Sequence, residues 1–277
     1  MTASAISRRP GLADRASTYA WVGLTAIRSN LSYLAEVGTR VIFLGVILFI
    51  FLQLWRVTYS GTGATKLGGL TLAQMLWYLC MTEAIIMSAP AVSTAVDQDV
   101  RTGAIAVYLL RPLSYPLYRL FTTLGERAVR FALNLVVGAV IVLCFVGPIH
   151  FSALGLLMLT LSIPLAIALD FLANLLIGLG AFWMEDTSGL SLIYNRLQMI
   201  LGGMLIPLEL FPRQLQPLLR ALPFSSVVYG PARLFVAPNL SLFEWLVVHQ
   251  GLFALTAGLL VALIYRVGLR KVQAHGG

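Results

Sequence analysis

The chain has 277 residues, of which 59% are hydrophobic and 11% are charged. A soluble domain has about 25% charged residues, and a core of this size cannot bury so large an apolar excess. The composition therefore excludes a soluble enzyme, a disordered protein and a nucleic-acid-binding module, and predicts a polytopic membrane protein. The formal net charge of +8 is interpreted as juxtamembrane charge rather than as a site for an acidic partner.

An amphipathic segment, residues 17–36, precedes the first long apolar run. Its apolar residues Ala20, Leu24, Ile27 and Leu31 recur at steps of four and three, which places them on one face of a helix. This pattern predicts a helix that lies on the cytoplasmic leaflet of the membrane. The alternative is a short extension of the first membrane span.

Six apolar segments are each long enough to cross a membrane as a helix, which takes about 17–25 residues. They cover residues 39–55, 70–92, 117–146, 151–183, 190–208 and 243–267. Fourteen of the 19 Lys and Arg residues fall on one predicted side, which is therefore expected to be cytoplasmic. Both termini belong to that side, and residues 1–277 are expected to form a single transmembrane domain.

The loop after the second span, residues 97–112, predicts a cytoplasmic helix of about three turns. Asp97 or Asp99 is expected to cap its N-terminus. Pro112 is expected to end it, because the residue before a proline disfavours the helical conformation. A partly apolar helix between two long spans favours a protein partner on the cytoplasmic side.

Residues 207–238, on the opposite side, hold six of the 12 prolines but remain apolar. That spacing forbids one continuous helix. We expect short, broken helices that dip partway into the outer leaflet, where irregular backbone has to be buried in protein or face a wet cavity. The aromatic residues Phe211, Phe224 and Tyr229 are candidates for an external gate, or they form a lid without ligand contact.

Two carboxylates fall in the middle of predicted spans, Glu83 in the second and Asp170 in the fourth. Ionisable groups at that depth are costly and usually face the bundle interior or a cavity. Two interpretations remain open: they line a translocation path that favours a cationic, amphipathic cargo, or each is protonated or hydrogen-bonded between helices. Asn174 lies one turn from Asp170 as a hydrogen-bond partner, and Met199 and Met204 are candidates for an adaptable path surface or for core packing.

We expect no catalytic residue, no metal site and no cofactor bound by this chain. The segment from Gly61 to Lys66 lacks the residues of a phosphate-binding loop. The three histidines, His150, His249 and His275, form no pair with metal-ligand spacing.

Two motifs resemble the membrane permease subunit of ABC-2-type ATP-binding cassette exporters. The first runs from Asp99-Val-Arg-Thr-Gly-Ala-Ile to Leu-Leu-Arg-Pro112. The second runs from Gly202-Gly-Met-Leu-Ile-Pro-Leu to Phe211-Pro, followed by Leu222-Pro-Phe-Ser and Tyr229-Gly-Pro231. The resemblance covers essentially the full length. Importer permeases carry a Glu-Ala-Ala loop that this sequence lacks, which argues against uptake.

The resemblance implies an all-α membrane protein with six transmembrane helices, an N-terminal interfacial helix, a cytoplasmic coupling helix and re-entrant short helices outside. It implies a pair of permease subunits, with a related second chain slightly favoured over an identical one. It also implies two cytoplasmic ATPase subunits, which bind ATP and magnesium. The expected location is the bacterial inner membrane, in contact with lipid and with no nucleic acid.

The resemblance also places a set of ATPase-coupling residues in the 97–112 loop. These are Asp97, Asp99, Arg101, Gly103, Val107, Tyr108 and Arg111. Alternatives remain open for five of them. Asp99 and Arg101 could be a solvated charge pair, and Gly103 could be a tolerated helix glycine. Tyr108 could serve local packing, and Arg111 could contact lipid phosphate.

The sequence as a whole predicts the permease subunit of an ATP-driven exporter that moves a hydrophobic or amphipathic compound outward. A secondary transporter or channel is the first alternative, and the lack of an internal repeat argues against it. A membrane enzyme acting on lipid is the second, and the lack of a clustered carboxylate, histidine or serine site argues against that.

Overall fold

The computed structural model describes residues 12–31, 34–110 and 113–275. These residues form helices and turns, with one isolated antiparallel bridge between Leu67 and Leu70. The α-helices in chain order are α1 (Leu12–Leu31), α2 (Leu34–Thr62), α3 (Leu72–Met87), α4 (Val92–Arg101), α5 (Ala104–Leu109), α6 (Tyr115–Val146), α7 (Ala153–Leu179), α8 (Ser188–Leu201), α9 (Gln216–Ala221), α10 (Pro223–Val227), α11 (Tyr229–Val236) and α12 (Leu240–His275). The prediction of an all-α protein with several apolar membrane helices is confirmed at this level.

Five helical segments within the described residues are long and apolar enough to cross a membrane. They are Ile42–Thr62, Leu72–Arg101, Tyr115–Val146, Ala153–Phe182 and Leu240–Lys271. The sequence predicted a sixth span at residues 190–208. In the structure this segment contains most of α8, which has 14 residues. A helix of that length is about 21 Å long, which is shorter than the hydrocarbon core of about 30 Å.

Helix α8 and the segment after it nevertheless connect the two ends of the helical bundle. Just before α8, the Asp186 carboxylate lies 3.6 Å from the Arg101 guanidinium at the end of α4. After α8, the Glu209 carboxylate pairs with Arg233, which also donates to the Gly68 carbonyl at the other end. We refer to these as the α4–α5 end and the α9–α11 end.

Helix α3 forms the centre of the bundle, with residues 75–85 all buried against α2, α6 and α11. Its start is fixed by a capping box, in which Thr71 Oγ1 accepts from the Gln74 N–H at 3.3 Å and Gln74 Oε1 accepts from the Thr71 N–H at 3.0 Å. Gly138 brings α6 close, because a Cβ there would lie 2.6 Å from Cys80 Sγ.

The predicted second span, residues 70–92, is broken between α3 and α4. Pro90 lacks an N–H and so interrupts the helical hydrogen-bond ladder. The Ile85 carbonyl is satisfied by side chains instead: the Ser88 hydroxyl donates to it at 2.7 Å and Arg127 Nη2 at 3.1 Å. The break separates a central helix from a shorter one that leads to the 97–112 loop.

The 97–112 loop differs from the single helix that the sequence predicted. Asp97 and Asp99 lie inside α4, so the prediction that one of them caps a helix N-terminus is wrong. The reason is that α4 begins upstream, where its apolar face packs on α7. The chain turns at Gly103, whose φ of +72° favours glycine, and α5 follows. Arg111 and Pro112 lie outside the described residues.

The predicted N-terminal amphipathic helix is observed as α1, which packs along α6. A Cβ on Gly125 would lie 2.3 Å from the Gly23 carbonyl oxygen, so the two backbones are in close contact. Trp21, on another face, is 61% exposed. Residues 32 and 33 of the predicted 17–36 helix lie outside the described residues, and the location of α1 on a membrane surface stays a prediction.

The proline-rich segment 207–238 holds a 3-10 turn, Leu208–Leu210, and the short helices α9, α10 and α11. Pro217 and Pro223 stand in the first turns of α9 and α10, where the missing N–H breaks no helical bond. The depth of this segment in a membrane stays a prediction.

Candidate functional site

A buried ion pair joins α6 to α7. Arg127 Nη1 donates to Asp170 Oδ2, and the two side chains are 2% and 3% exposed. Charges removed from water are tolerated when they are paired and their remaining polar atoms are hydrogen-bonded.

The remaining polar atoms of this pair are hydrogen-bonded. Asp170 Oδ1 accepts from the Tyr194 hydroxyl at 2.9 Å, from Gln198 Nε2 at 3.0 Å and from Asn174 Nδ2 at 3.3 Å. Arg127 donates through Nε to Ser88 Oγ at 3.3 Å and through Nη2 to the Ile85 carbonyl. The members of this Arg127–Asp170 cluster are Ser88, Arg127, Asp170, Asn174, Tyr194 and Gln198. The cluster ties α6, α7 and α8 to the break after α3.

The cluster changes the interpretation of Asp170. Asn174 lies where the sequence placed it, as a hydrogen-bond partner of Asp170. The Arg127 guanidinium compensates the charge of Asp170, so that carboxylate presents no net negative charge to a cationic cargo. The geometry therefore favours the alternative in which Asp170 is hydrogen-bonded between helices.

Glu83 lies apart from this cluster on α3 and is 1% exposed. Its Oε1 atom has no hydrogen-bond partner among the described residues, and the same is true of Asn134 Nδ2 on α6. Because Cys80 lies against Gly138 on the antiparallel helices α3 and α6, Glu83 and Asn134 lie at about the same level, one turn away. Of the two carboxylates predicted in the middle of spans, Asp170 is paired with Arg127, whereas Glu83 has a buried oxygen atom without a hydrogen-bond partner in the described part of the chain.

The two methionine candidates belong to the packed core. Met204 is 7% exposed, and its backbone carbonyl accepts from Thr82 Oγ1 at 3.3 Å. The neighbouring Gly203 carbonyl accepts from the Tyr78 hydroxyl. Met199, on α8, is partly buried against the same apolar cluster. These contacts hold the segment after α8 against α3.

At the α4–α5 end, the charged side chains of α4 are paired within the chain. The Asp97 carboxylate lies 2.8 Å from Arg101 Nε and accepts from Thr187 Oγ1 at 2.8 Å. Arg101 also approaches Asp186. The Ser188 hydroxyl and backbone N–H hold the pKa of Asp186 below its usual value, so its carboxylate is charged at neutral pH. These contacts connect the end of α4 to the start of α8.

Asp99 forms a second set of contacts, to α6. Its carboxylate accepts from the Tyr115 hydroxyl at 2.6 Å and from Arg119 Nε at 3.1 Å. Tyr108 packs its ring 5.3 Å from that of Tyr115. Asp97 and Asp99, predicted to contact an ATPase, thus already have partners within the chain, and they fix the position of α4.

Two exposed side chains in and just after α5 are apolar. Val107 on α5 is 56% exposed and Leu110 is 86% exposed, whereas Ile105 anchors α5 in the core at 0%. No atom lies within 4 Å of a Cβ built on Gly103, so that glycine serves the turn rather than a close contact within the described chain. The surface that is free to meet a partner is therefore carried by Val107 and Leu110.

The three gate candidates each contact a different part of the protein. The Phe224 ring lies 5.7 Å from the Tyr194 ring on α8. The Tyr229 hydroxyl donates to Glu209 Oε1 at 2.6 Å. Phe211 is partly buried against the main core. A gating role for them stays a prediction.

Sequence reasoning missed four charged residues that the structure places in ion pairs: Arg119, Arg127, Glu209 and Arg233. For Arg127 a signal existed, because it lies ten residues inside the predicted span 117–146. A charge at that depth usually faces the bundle interior, as Asp170 does, whereas the charge count alone treats Arg127 as a residue that sets orientation.

Long apolar helices with a buried charge cluster are features of a polytopic membrane protein. The family model for "ABC-2 family transporter protein" matches residues 44–276, and the chain therefore belongs to this family. The resemblance stated from the sequence is confirmed. Membership of this family implies that the chain is the membrane subunit of a transporter rather than an enzyme. Comparison with curated proteins finds no match.

Proposed function

We propose that the protein is the permease subunit of an ATP-driven exporter, powered by a separate cytoplasmic ATPase. The observation that carries this proposal is the exposed apolar surface formed by Val107 on α5 and Leu110 just after it, on a loop that ion pairs hold in place. Members of the ABC-2 family generally work with ATP-binding cassette ATPases, which supports the choice of partner.

The contacts around α5 suit the transmission of a rigid-body movement. An ATPase docked on α5 moves α4 with it. The Asp97–Thr187 and Arg101–Asp186 contacts carry that movement to the start of α8, and the Asp99–Arg119 pair carries it to α6. ATP shifts the permease between two conformations because it binds one arrangement of the ATPases better than the other.

The proposed assembly has two permease subunits and two ATPase subunits in a bacterial inner membrane. The second permease chain is a related one, which is slightly favoured, or an identical one. ATP and magnesium bind to the ATPases, and this chain binds no cofactor. The α4–α5 end and both termini face the cytoplasm, which agrees with the excess of Lys and Arg on that side.

In this arrangement, α8 and the segment after it provide the sixth crossing. Their contacts at both ends support this, since Asp186 lies beside Arg101 and Glu209 beside Arg233. The cargo is a hydrophobic or amphipathic compound. A preference for cations now rests on Glu83, because Arg127 compensates Asp170.

The test is to introduce a charge into the α5 surface. We expect Val107→Asp to weaken association with the ATPase at least about tenfold, because burying an unpaired carboxylate costs several kcal/mol. Tagged permease is purified in detergent from its host, and co-purified ATPase is measured by mass spectrometry together with ATP hydrolysis.

Leu218→Asp is the matched control, since Leu218 is 58% exposed on α9 at the opposite end. It should retain the ATPase and its activity. Full co-purification with Val107→Asp would contradict docking on α5. ATP hydrolysis by the purified permease alone would contradict a separate ATPase.

A further inference from the structure

A polar cavity of about 540 Å³ lies at the α9–α11 end. Its lining comes from the 3-10 turn, from α9 and α11, and from the start of α12. The charged and aromatic lining residues are Glu209, Arg220, Tyr229, Arg233 and Trp245, and Asn239 and Ser241 add polar groups. The cavity lies at the end of the bundle opposite to the proposed ATPase surface.

Internal contacts fix the position of two of the charged groups. Arg233 Nε lies 3.0 Å from Glu209 Oε1, and Arg233 Nη2 donates to the Gly68 carbonyl at 3.3 Å. The Tyr229 hydroxyl donates to the same Glu209 oxygen at 2.6 Å. Burial and the neighbouring Glu209 charge raise the pKa of Tyr229, so the phenol stays protonated and remains a donor.

These contacts leave a buried donor and a buried acceptor unused. Arg233 Nη1 and Glu209 Oε2 have no hydrogen-bond partner among the described residues. Arg220, which is exposed at the cavity, forms no side-chain hydrogen bond or ion pair with the described part of the chain. Glu209 and Arg233 both line the cavity, so an occupant that accepts from the Arg233 guanidinium and donates to the Glu209 carboxylate complements the charges that it meets there.

The charges and the surroundings of the cavity narrow the chemistry of that occupant. Two guanidinium groups face one carboxylate, which leaves an excess of positive charge for an anionic group. Beyond Trp245, the same side of α12 is exposed and apolar, as the exposed fractions of Val248 (65%), Leu252 (56%) and Leu259 (63%) indicate. A ligand in the cavity is therefore continuous with a surface suited to acyl chains.

We propose that this cavity binds a phosphate-bearing head group that also carries an N–H donor. The phosphate lies between Arg220 and Arg233, whose planar forks suit phosphate oxygens, and the amine donates to Glu209. The source of this group is a phospholipid or a soluble phosphodiester. The proposal is independent of ATP-driven transport, since binding requires no ATPase.

The test measures binding of short-chain phosphatidylethanolamine to the purified protein in detergent, by native mass spectrometry. We expect Arg220→Gln to weaken binding about tenfold, as the loss of one charge-assisted hydrogen bond predicts. Arg220→Gln should keep the wild-type melting temperature, because Arg220 has no side-chain partner in the described chain. Arg213→Gln, an exposed residue outside the cavity lining, is the matched control and should bind normally.

Two further probes identify the ligand chemistry. Phosphatidylcholine has no N–H to donate to Glu209, so we expect it to bind more weakly than phosphatidylethanolamine. Glycerophosphoethanolamine has the same head group but lacks acyl chains. If it binds as tightly as the lipid and its binding depends on Arg220, the cavity is a site for soluble phosphodiesters. If it binds more weakly, the cavity is a lipid site. Equal lipid affinity of Arg220→Gln and Arg213→Gln overturns the proposal, as does equal affinity for the two lipids.

Discussion

At the level of single residues, Arg127 and Asp170 depend on each other. Both side chains are almost completely buried, and each charge is compensated by the other. Removing one partner of a buried pair leaves an uncompensated charge and costs about 3–5 kcal/mol. An exposed helical pair contributes about 0.3–0.5 kcal/mol, and Glu126–Arg130, at 3.7 Å with both side chains about a quarter exposed, is such a pair on the same helix.

We therefore expect Arg127→Met to lower the free energy of unfolding by about 3–5 kcal/mol, because the buried Asp170 carboxylate loses its charged partner. Glu126→Gln, the control, should lower it by about 0.5 kcal/mol or less. Thermal unfolding of the detergent-solubilised protein, followed by tryptophan fluorescence, measures both.

The double variant Arg127→Met with Asp170→Leu separates charge from packing. It removes both charges, so it should recover most of the stability that Arg127→Met loses. A double variant that is less stable than Arg127→Met would mean that the pair stabilises the fold through geometry and hydrogen bonds rather than by charge compensation.

The pairs also explain which site residues the sequence could predict. Asn174 was found as a partner of Asp170 because the two are one helical turn apart. Arg127 is 43 residues from Asp170 and Arg119 is 20 residues from Asp99, and no local spacing rule relates residues on different helices. Their pairing follows only from the way in which α4, α6 and α7 pack.

At the level of elements, the position of α4 depends on its contact with α7. A Cβ on Gly178 would lie 2.7 Å from the Ser93 carbonyl oxygen and 2.7 Å from Val96 Cβ. Both neighbours belong to α4 and one is backbone, so an added methyl group cannot be accommodated by a side-chain rotation. The helix that leads to α5 would have to move.

Gly178→Ala is therefore expected to destabilise the protein by about 1–3 kcal/mol, as overpacking does, and to increase hydrogen exchange in α4 and α5. Gly258→Ala on α12, where nothing lies within 4 Å of the added Cβ, is the control and should change neither. Hydrogen exchange followed by mass spectrometry measures the local effect. If Gly178→Ala left exchange in α4 unchanged, the close contact would not determine the position of that helix.

Element boundaries were harder to predict than the elements themselves. The apolar runs predicted five of the long helices, because about 20 apolar residues are a strong signal. The prediction that Asp97 or Asp99 caps a helix was wrong because the helix begins upstream of both, at Val92. Pro90 was the available signal, since a helix restarts after the break that a proline makes. Gly103 gave no signal of its left-handed turn.

At the level of the whole molecule, the position of α8 decides the topology. It has 14 residues, yet the chain before it lies at the α4–α5 end and the chain after it at the α9–α11 end. If this segment crosses the membrane, Glu185 and Arg213, both exposed, lie on opposite sides.

We expect a membrane-impermeant maleimide to label Arg213→Cys in intact cells and Glu185→Cys only after permeabilisation. The background carries Cys144→Ser, because Cys144 is the exposed thiol among the described cysteines and Cys80 is buried. Labelling is measured by gel shift. Labelling of both positions from the same side would show that α8 does not cross.

The family and the general class of the molecule were predictable because motifs and composition are properties of the chain itself. The cavity at Glu209 and Arg233 was not predictable, since Arg233 is held in position by the Gly68 carbonyl, which is 165 residues away in the chain. The prolines in the 207–238 segment indicated a broken backbone but gave no information on the side chains that it brings together.

Changes in bilayer thickness act on the outside of the bundle. Of the five long spans, Leu72–Arg101 has the largest buried share, 61%, and Leu240–Lys271 the smallest, 11%. A helix in contact with lipid adapts to a thinner or thicker bilayer by tilting. Helix α12 packs mainly along α7 and leaves most of its surface outside the protein interior. Helix α3 is surrounded by α2, α6 and α11, so its tilt is set by protein neighbours. The tilt of α12, at the periphery, is therefore expected to follow the thickness of the bilayer, whereas the tilt of α3, at the centre, is not.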